Sequence, residues 1–192
     1  MGKRILILNG NPKPDSLCAG LAAAYGAAAA TNHQVRPVAL AQLGFESDLN
    51  AGYDRDQPLE PDLQTFQQNL LWAQHLVLVA PVWWGGVPAR LKGLIDRTFL
   101  PGFAFRYEKG QVWPTQLLKG KTATLLLTLD TPPWYYRLLQ GAPAVRQLDT
   151  ATLALSGFKP VRHHLFGPVI HADESRRQRW LDKAQVLGAR AG

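Results

Sequence analysis

The chain has 192 residues, 46% of them hydrophobic and 18% charged, enough for one globular domain with a real core. No apolar run approaches the length that spans a bilayer, and the single cysteine, Cys18, excludes an intrachain disulfide and a cysteine-rich metal site. The net charge of +7 would suit a nucleic-acid partner. The cations are dispersed, however, and the densest cluster, Arg176, Arg177 and Arg179, lies on an amphipathic helical pattern and reads as a solvated face. No nucleic acid and no metal are expected; a modest positive field suits an anionic cofactor or cosubstrate.

The first predicted strand is Ile5-Leu6-Ile7-Leu8. Its basic lead-in looks like a secretory leader, but the run stops at Leu8 without a small-residue cleavage site, so a cytoplasmic protein is expected. Residues 16–30, rich in alanine, form a helix with Ser16 as its cap. Residues 34–40 are a weaker strand. Residues 61–73 place Leu63, Phe66, Leu70 and Leu71 at helical spacing. A second strong strand, Leu76 to Ala80, ends at Pro81. Residues 88–99 open with Pro88 in a first-turn position and repeat Leu91, Leu94, Ile95 and Phe99, with Lys92 and Asp96 paired one turn apart. Leu125-Leu126-Leu127 is the third strong strand. A helix over 144–155, a weaker strand over 161–166 and a helix over 174–189 complete the chain.

Short apolar runs without alternation are what strands look like when helices cover both faces. Five β-α units in succession predict an α/β three-layer sandwich, a five-stranded parallel sheet with helices on both faces, as one domain over residues 1–192. Two stretches, 44–60 and 100–120, stay irregular. Loops of that length in a compact domain are usually functional or disordered, and the second carries Phe103, Phe105, Tyr107 and Trp113.

Ligands of such sheets bind beyond the carboxyl ends of the strands, which directs attention to three loops. The first, Asn9 to Cys18, lacks the Gly-x-Gly-x-x-Gly and Walker patterns. Ser16 either only caps its helix or also offers its hydroxyl to a phosphate, with the amides of Ser16, Leu17 and Cys18. Cys18 has no His or Asp partner in sequence and reads as a small packed side chain. In the second loop, Trp83 and Trp84 are either core or an aromatic wall for a planar ligand, with Gly85 and Gly86 letting the backbone approach. The third runs from Thr128 through Leu129, Asp130 and Thr131 to Tyr136.

Pro81-Val82-Trp83-Trp84, then Val87-Pro88-Ala89-x-Leu91-Lys92-Gly93-x-Ile95-Asp96-Arg97 and Pro101-Gly102-Phe103-Ala104-Phe105, resemble the flavodoxin-like NAD(P)H:quinone oxidoreductase family, as does Pro12-x-Pro14-x-Ser16. The resemblance implies a flavodoxin-like fold and a flavin passing hydride from NADPH or NADH to a quinone or similar aromatic acceptor by ping-pong turnover. It implies that Asn11, Ser16, Leu17 and Cys18 surround the flavin phosphate and ribityl chain, that Pro81, Val82, Trp83, Trp84 and Gly85 contact the ring, and that Thr128, Leu129, Asp130 and Thr131 hold its polar edge. It further implies a homodimer in which Phe103, Phe105 and Tyr107 cap the partner's pocket. FMN is expected over FAD because the chain stops soon after its last helix. The chain departs from the family where a Thr-Thr-Gly-Gly-like loop would stand, and Asp130 is expected to point outward or cap the following turn. No catalytic residue is assigned; Tyr135 or Tyr136 is left to supply a hydroxyl, and His163 and His164 read as structural or surface residues. An alternative role is that of a flavin-binding regulatory subunit on a potassium efflux transporter, a peripheral partner of a membrane protein.

Overall fold

The computed structural model describes residues 2–50, 52 and 54–191; positions 51 and 53 of the predicted irregular stretch 44–60, and both ends of the predicted domain, lie outside them. In chain order it forms β1 (Arg4–Asn9), α1 (Leu17–Ala29), β2 (Gln34–Ala39), α2 (Pro61–Trp72), β3 (His75–Pro81) and α3 (Ala89–Thr98). There follow β4 (Phe105–Arg106), β5 (Thr115–Gln116), β6 (Thr122–Thr128), α4 (Pro133–Leu138), α5 (Pro143–Leu148), β7 (Val161–Phe166) and α6 (Glu174–Ala189). Five strands make one parallel sheet in the order β2-β1-β3-β6-β7. The apolar runs occupy its middle, where every residue of β3 is buried, and the two weaker strands form its edges.

Alternate side chains of a strand point to opposite faces, and the core divides accordingly. Leu6, Leu8, Leu78, Leu125 and Leu127 pack with Leu63, Phe66 and Leu70 of α2 and Leu91 and Leu94 of α3. Ile5, Ile7, Val77, Val79 and Leu126 pack with Leu21 and Tyr25 of α1 and Ala184 of α6. The latter two helices approach closely because Gly188 has no side chain: a Cβ there would collide with the Tyr25 carbonyl. The helix ends are satisfied individually. Ser16 Oγ accepts from the Ala19 amide at 3.3 Å, Asp173 accepts from the Arg176 amide at 2.7 Å, and Lys121 Nζ donates to the last carbonyls at the end of α2, Leu71 and Ala73.

Four boundaries differ from the sequence expectation. Strand β2 stops at Ala39, and Leu40–Gln42 turn as a 3-10 segment. The loop after β6 contains α4, whose only buried residue is Tyr136. The helix expected over 144–155 is α5 followed by a wider π-helical turn, Asp149–Ala154, across which Thr152 Oγ1 donates to the Gln147 carbonyl five residues back. The stretch 100–120 folds β4 and β5 into a small antiparallel ribbon.

The stretch after residue 43 is strapped to α3. Arg97 is fully buried, donates to the Glu46 and Pro58 carbonyls at 2.6 and 2.8 Å, and pairs with Glu60 at 2.9 Å. Burial opposes ionisation of the Glu60 carboxyl, but the Glu46 amide and the Arg97 guanidinium together hold its pKa below the ordinary value. Arg90 donates to the Leu43 carbonyl and lies 4.6 Å over the Phe45 ring. Gly93 lets Ser47 pack on the helix backbone, since a Cβ would sit 2.7 Å from Ser47 Cβ.

Candidate functional site

From β1 the chain moves outward to β2 and then returns to place β3 on the other side of β1. The crevice where strand order reverses lies between β1 and β3. Gly10 opens it: its amide donates to the Val79 carbonyl at 2.7 Å, and a Cβ there would meet Leu91 Cδ2 at 2.8 Å. Two side-chain turns then fold the loop back. Asn9 Oδ1 accepts from the Asn11 amide at 3.2 Å and Asn11 Oδ1 from the Lys13 amide at 3.0 Å. They leave Asn11 only 7% exposed, facing a recess of about 270 Å³.

Ser16, Leu17 and Cys18 bring the start of α1 to the same recess, with Pro81, Val82, Trp83, Thr128, Leu129 and Asp130 opposite. Cys18 is floor rather than reagent. Its Sγ lies 3.4 Å from Thr128 Oγ1 and burial pushes the thiol pKa up, which opposes the nucleophilic thiolate.

The tryptophan pair forms a two-residue turn. Trp83 and Gly86 exchange both backbone hydrogen bonds at 3.0 Å, and the central residues Trp84 and Gly85 have φ of 51° and 80°. Such turns need positive φ at both central positions, which glycine meets freely and a bulky side chain only under strain. The Trp84 ring is fully exposed and the Trp83 ring half-exposed, so neither belongs to the core. Both border a larger cleft of about 820 Å³ that continues from the recess, with Val82, Gly85, Leu129, Asp130, Thr131 and Tyr136. Every residue expected to hold the cofactor thus lines one cavity or the other.

Tyr136 and Tyr135 separate in role. The Tyr136 hydroxyl donates to the Gly85 carbonyl at 3.0 Å and accepts from the Ala144 amide at 2.8 Å. Burial raises its pKa. Its polar end therefore fixes the tryptophan turn against the start of α5. Tyr135 stacks edge-on against Trp134 at 5.8 Å and lines neither cavity.

Asp130 is exposed and does not cap α4. Its Oδ1 accepts from the Ile170 amide at 2.8 Å, and the Val169 amide donates to the Leu129 carbonyl at 3.0 Å, so the loops after β6 and β7 are stitched together. Phe103 and Phe105 pack partly buried on their own chain's core, while Tyr107 meets Phe105 edge-on at 5.6 Å and is exposed; none lines either cavity. His163 is exposed and His164 half-buried on β7, also away from both.

Four lining residues escaped the sequence reading: Lys13 and Val169 in the recess, Gln140 and Pro143 in the cleft. Lys13 lies within the inspected loop and its charge was a usable signal. Val169, Gln140 and Pro143 arrive through loops that only the fold brings near.

Residues 3–187 match the sequence pattern of a family described as having the flavodoxin-like fold. An uncharacterized NAD(P)H oxidoreductase of Haemophilus influenzae is 30% identical over 124 residues, 64% of this chain and 60% of that one. Human ribosyldihydronicotinamide dehydrogenase (quinone) is 29% identical over 145 residues, 69% of this chain and 60% of that one. The chain therefore spans about 60% of the length of these relatives. Among solved structures, Smu.1420 from Streptococcus mutans superposes with a TM-score of 0.84 at 27% identity, covering 97% of this chain and 98% of that one. An FMN-dependent NADH-azoreductase from Bacillus anthracis, solved with FMN, shares the fold with a TM-score of 0.75 at 15% identity, covering 99% of each chain. The parallel order β2-β1-β3-β6-β7, the crevice at its switch point and a family match over nearly the whole chain make this protein a member of the flavodoxin-like fold family.

Proposed function

We propose that the chain is a flavin-dependent NAD(P)H oxidoreductase, one domain that binds FMN across the joined cavities. The observation that carries this reading is the convergence of three separate loops, with all their expected cofactor residues, on a single crevice. The crevice suits the group. The recess offers the start of α1, the Ser16 hydroxyl, the buried Asn11 amide and the Lys13 cation to a phosphate. The cleft has the size usual for small-molecule sites and a flat wall of Trp83, Trp84 and exposed main chain. Among the described residues, the amides of Trp84 and Gly85 have no hydrogen-bond partner, leaving donors for a ring edge.

Bound there, the flavin supplies a two-electron relay from NADPH or NADH to a quinone or related aromatic acceptor. The chain's own residues bind and orient. Tyr136 holds the Gly85 carbonyl and so fixes the turn that carries the two free amides, and Leu129 and Val82 give the cleft an apolar wall. FMN is favoured over FAD by the FMN-dependent azoreductase of the same fold. The oxidoreductase names of the relatives favour an enzyme over a regulatory subunit. We infer a cytoplasmic homodimer. Tyr107 and Trp113 are 65% and 78% exposed and point at no surface of their own chain's cleft, a disposition that fits capping of a partner's pocket.

The test is an absorbance spectrum of protein reconstituted with FMN and mixed anaerobically with NADPH or NADH. A bound flavin should bleach and then recover when a quinone is added. Failure to retain flavin, or a bound flavin inert to both nicotinamides, would overturn the reading.

A further inference from the structure

Charge is unevenly placed along the joined cavities. Lys13, in the loop before α1, lines only the recess, whereas Asp130 lines both cavities and is the sole Asp, Glu, Lys or Arg on the larger cleft among the described residues. The Asp130 carboxylate is held in place, with Oδ1 accepting from the Ile170 amide at 2.8 Å. It is exposed and makes no ion pair among the described residues. The other walls, notably Trp83, Trp84, Leu129 and Tyr136, are apolar and suit any planar ring. They select for shape and leave charge to Asp130.

We propose that Asp130 makes the larger cleft choose its acceptor by charge, admitting neutral and cationic planar aromatics and rejecting anionic ones such as sulfonated or carboxylated rings. The inference rests on the reading of this cleft as the acceptor pocket. The overall charge of +7 acts in the opposite sense. It is spread over the surface, however, and is screened beyond about 8 Å at physiological salt. An acceptor ring seated in this cleft lies near a fixed carboxylate on its wall, so the near charge decides. Like-charge opposition is an economical way to refuse a ligand that fits sterically.

Equilibrium binding to the FMN-loaded, oxidised protein tests this without turnover. Tryptophan quenching and the shift of the flavin spectrum would be followed with two probes sharing one ring system, a neutral hydroxymethyl-anthraquinone and anthraquinone monosulfonate. At low salt the neutral probe should bind about tenfold more tightly, and added salt should narrow the gap. Asp130→Asn should close it, because the amide oxygen can still accept from the Ile170 amide while the charge is gone. Asp130→Glu should retain it. Equal affinities in the wild type, or a gap that survives Asp130→Asn, would overturn the proposal while leaving the oxidoreductase reading intact. If the neutral probe does not bind and NAD(P)H does not bleach the flavin, the oxidoreductase reading falls and the proposal falls with it.

Discussion

The two long irregular stretches look alike in sequence and behave oppositely in the structure. Described residues of 44–60 are clasped by α3 through a buried guanidinium, an ion pair and a glycine that admits Ser47 to the helix backbone. Residues 100–120 form a two-rung ribbon that turns Tyr107, Val112 and Trp113 outward. Loop length marks departure from regular structure, but the side chains decide which way the departure faces. A stretch whose polar backbone is met by its own chain is scaffold; one that leaves aromatics in water has a surface left to offer.

The largest effect that could break this contrast is at Arg97. Arg97→Ala would leave the Glu46 and Pro58 carbonyls and the Glu60 carboxylate without their partner, at a cost of about 3–5 kcal/mol. A thermal melt that barely moves would show that 44–60 is not held as described.

Acid probes a buried histidine that lies in neither stretch. His75 sits at the start of β3, with Nδ1 2.6 Å from Thr122 Oγ1. Burial, with Lys3, Arg162 and His33 adding to it, lowers its pKa from 6.5 to about 4. Its folded form therefore resists protonation more than the unfolded chain does. Stability should be full above pH 6.5 and decline as the pH falls towards 4, by roughly 3 kcal/mol. Denaturant titrations across that window should show the slope, and His75→Gln should make it shallower.

Gly93→Ala sharpens the comparison at finer scale. The new Cβ would lie 2.7 Å from both Ser47 Cβ and its carbonyl oxygen. Such overpacking costs about 1–3 kcal/mol, against a gain of up to about 1 kcal/mol in helix propensity. A net loss of stability is expected; a gain would mean that Ser47 does not rest on α3. The smallest effect belongs to the second stretch. Tyr107→Ser and Trp113→Ser should change the stability of the dilute chain by no more than about 0.5 kcal/mol, while lowering self-association in sedimentation. A loss as large as that at Arg97 would erase the distinction between the stretches.

The sequence made the sheet legible because its three inner strands are continuous apolar runs, which only double-sided burial explains. The cleft was legible because ligands of such sheets gather at strand ends, and the residues there could be listed from three loops. Helix α4 was hidden: it has six residues, opens at Pro133 and buries only Tyr136, too little for a helical period to emerge. The Asp130 tether was hidden for another reason, since Ile170 lies 40 residues away and nothing local announces the pairing. Arg97 looked like part of a helix motif, and its burial under a distant loop is a tertiary fact.

Helices α1 and α6 share one roof over the sheet, although four of its strands, β2, β3, β6 and β7, lie between them in sequence. On a translating ribosome the first is made before the second and waits. The part of α1 that packs on α6, around Tyr25, stays uncovered until residues 174–189 have emerged. A nascent chain stalled before α6 would therefore present chaperones with a half-covered apolar sheet.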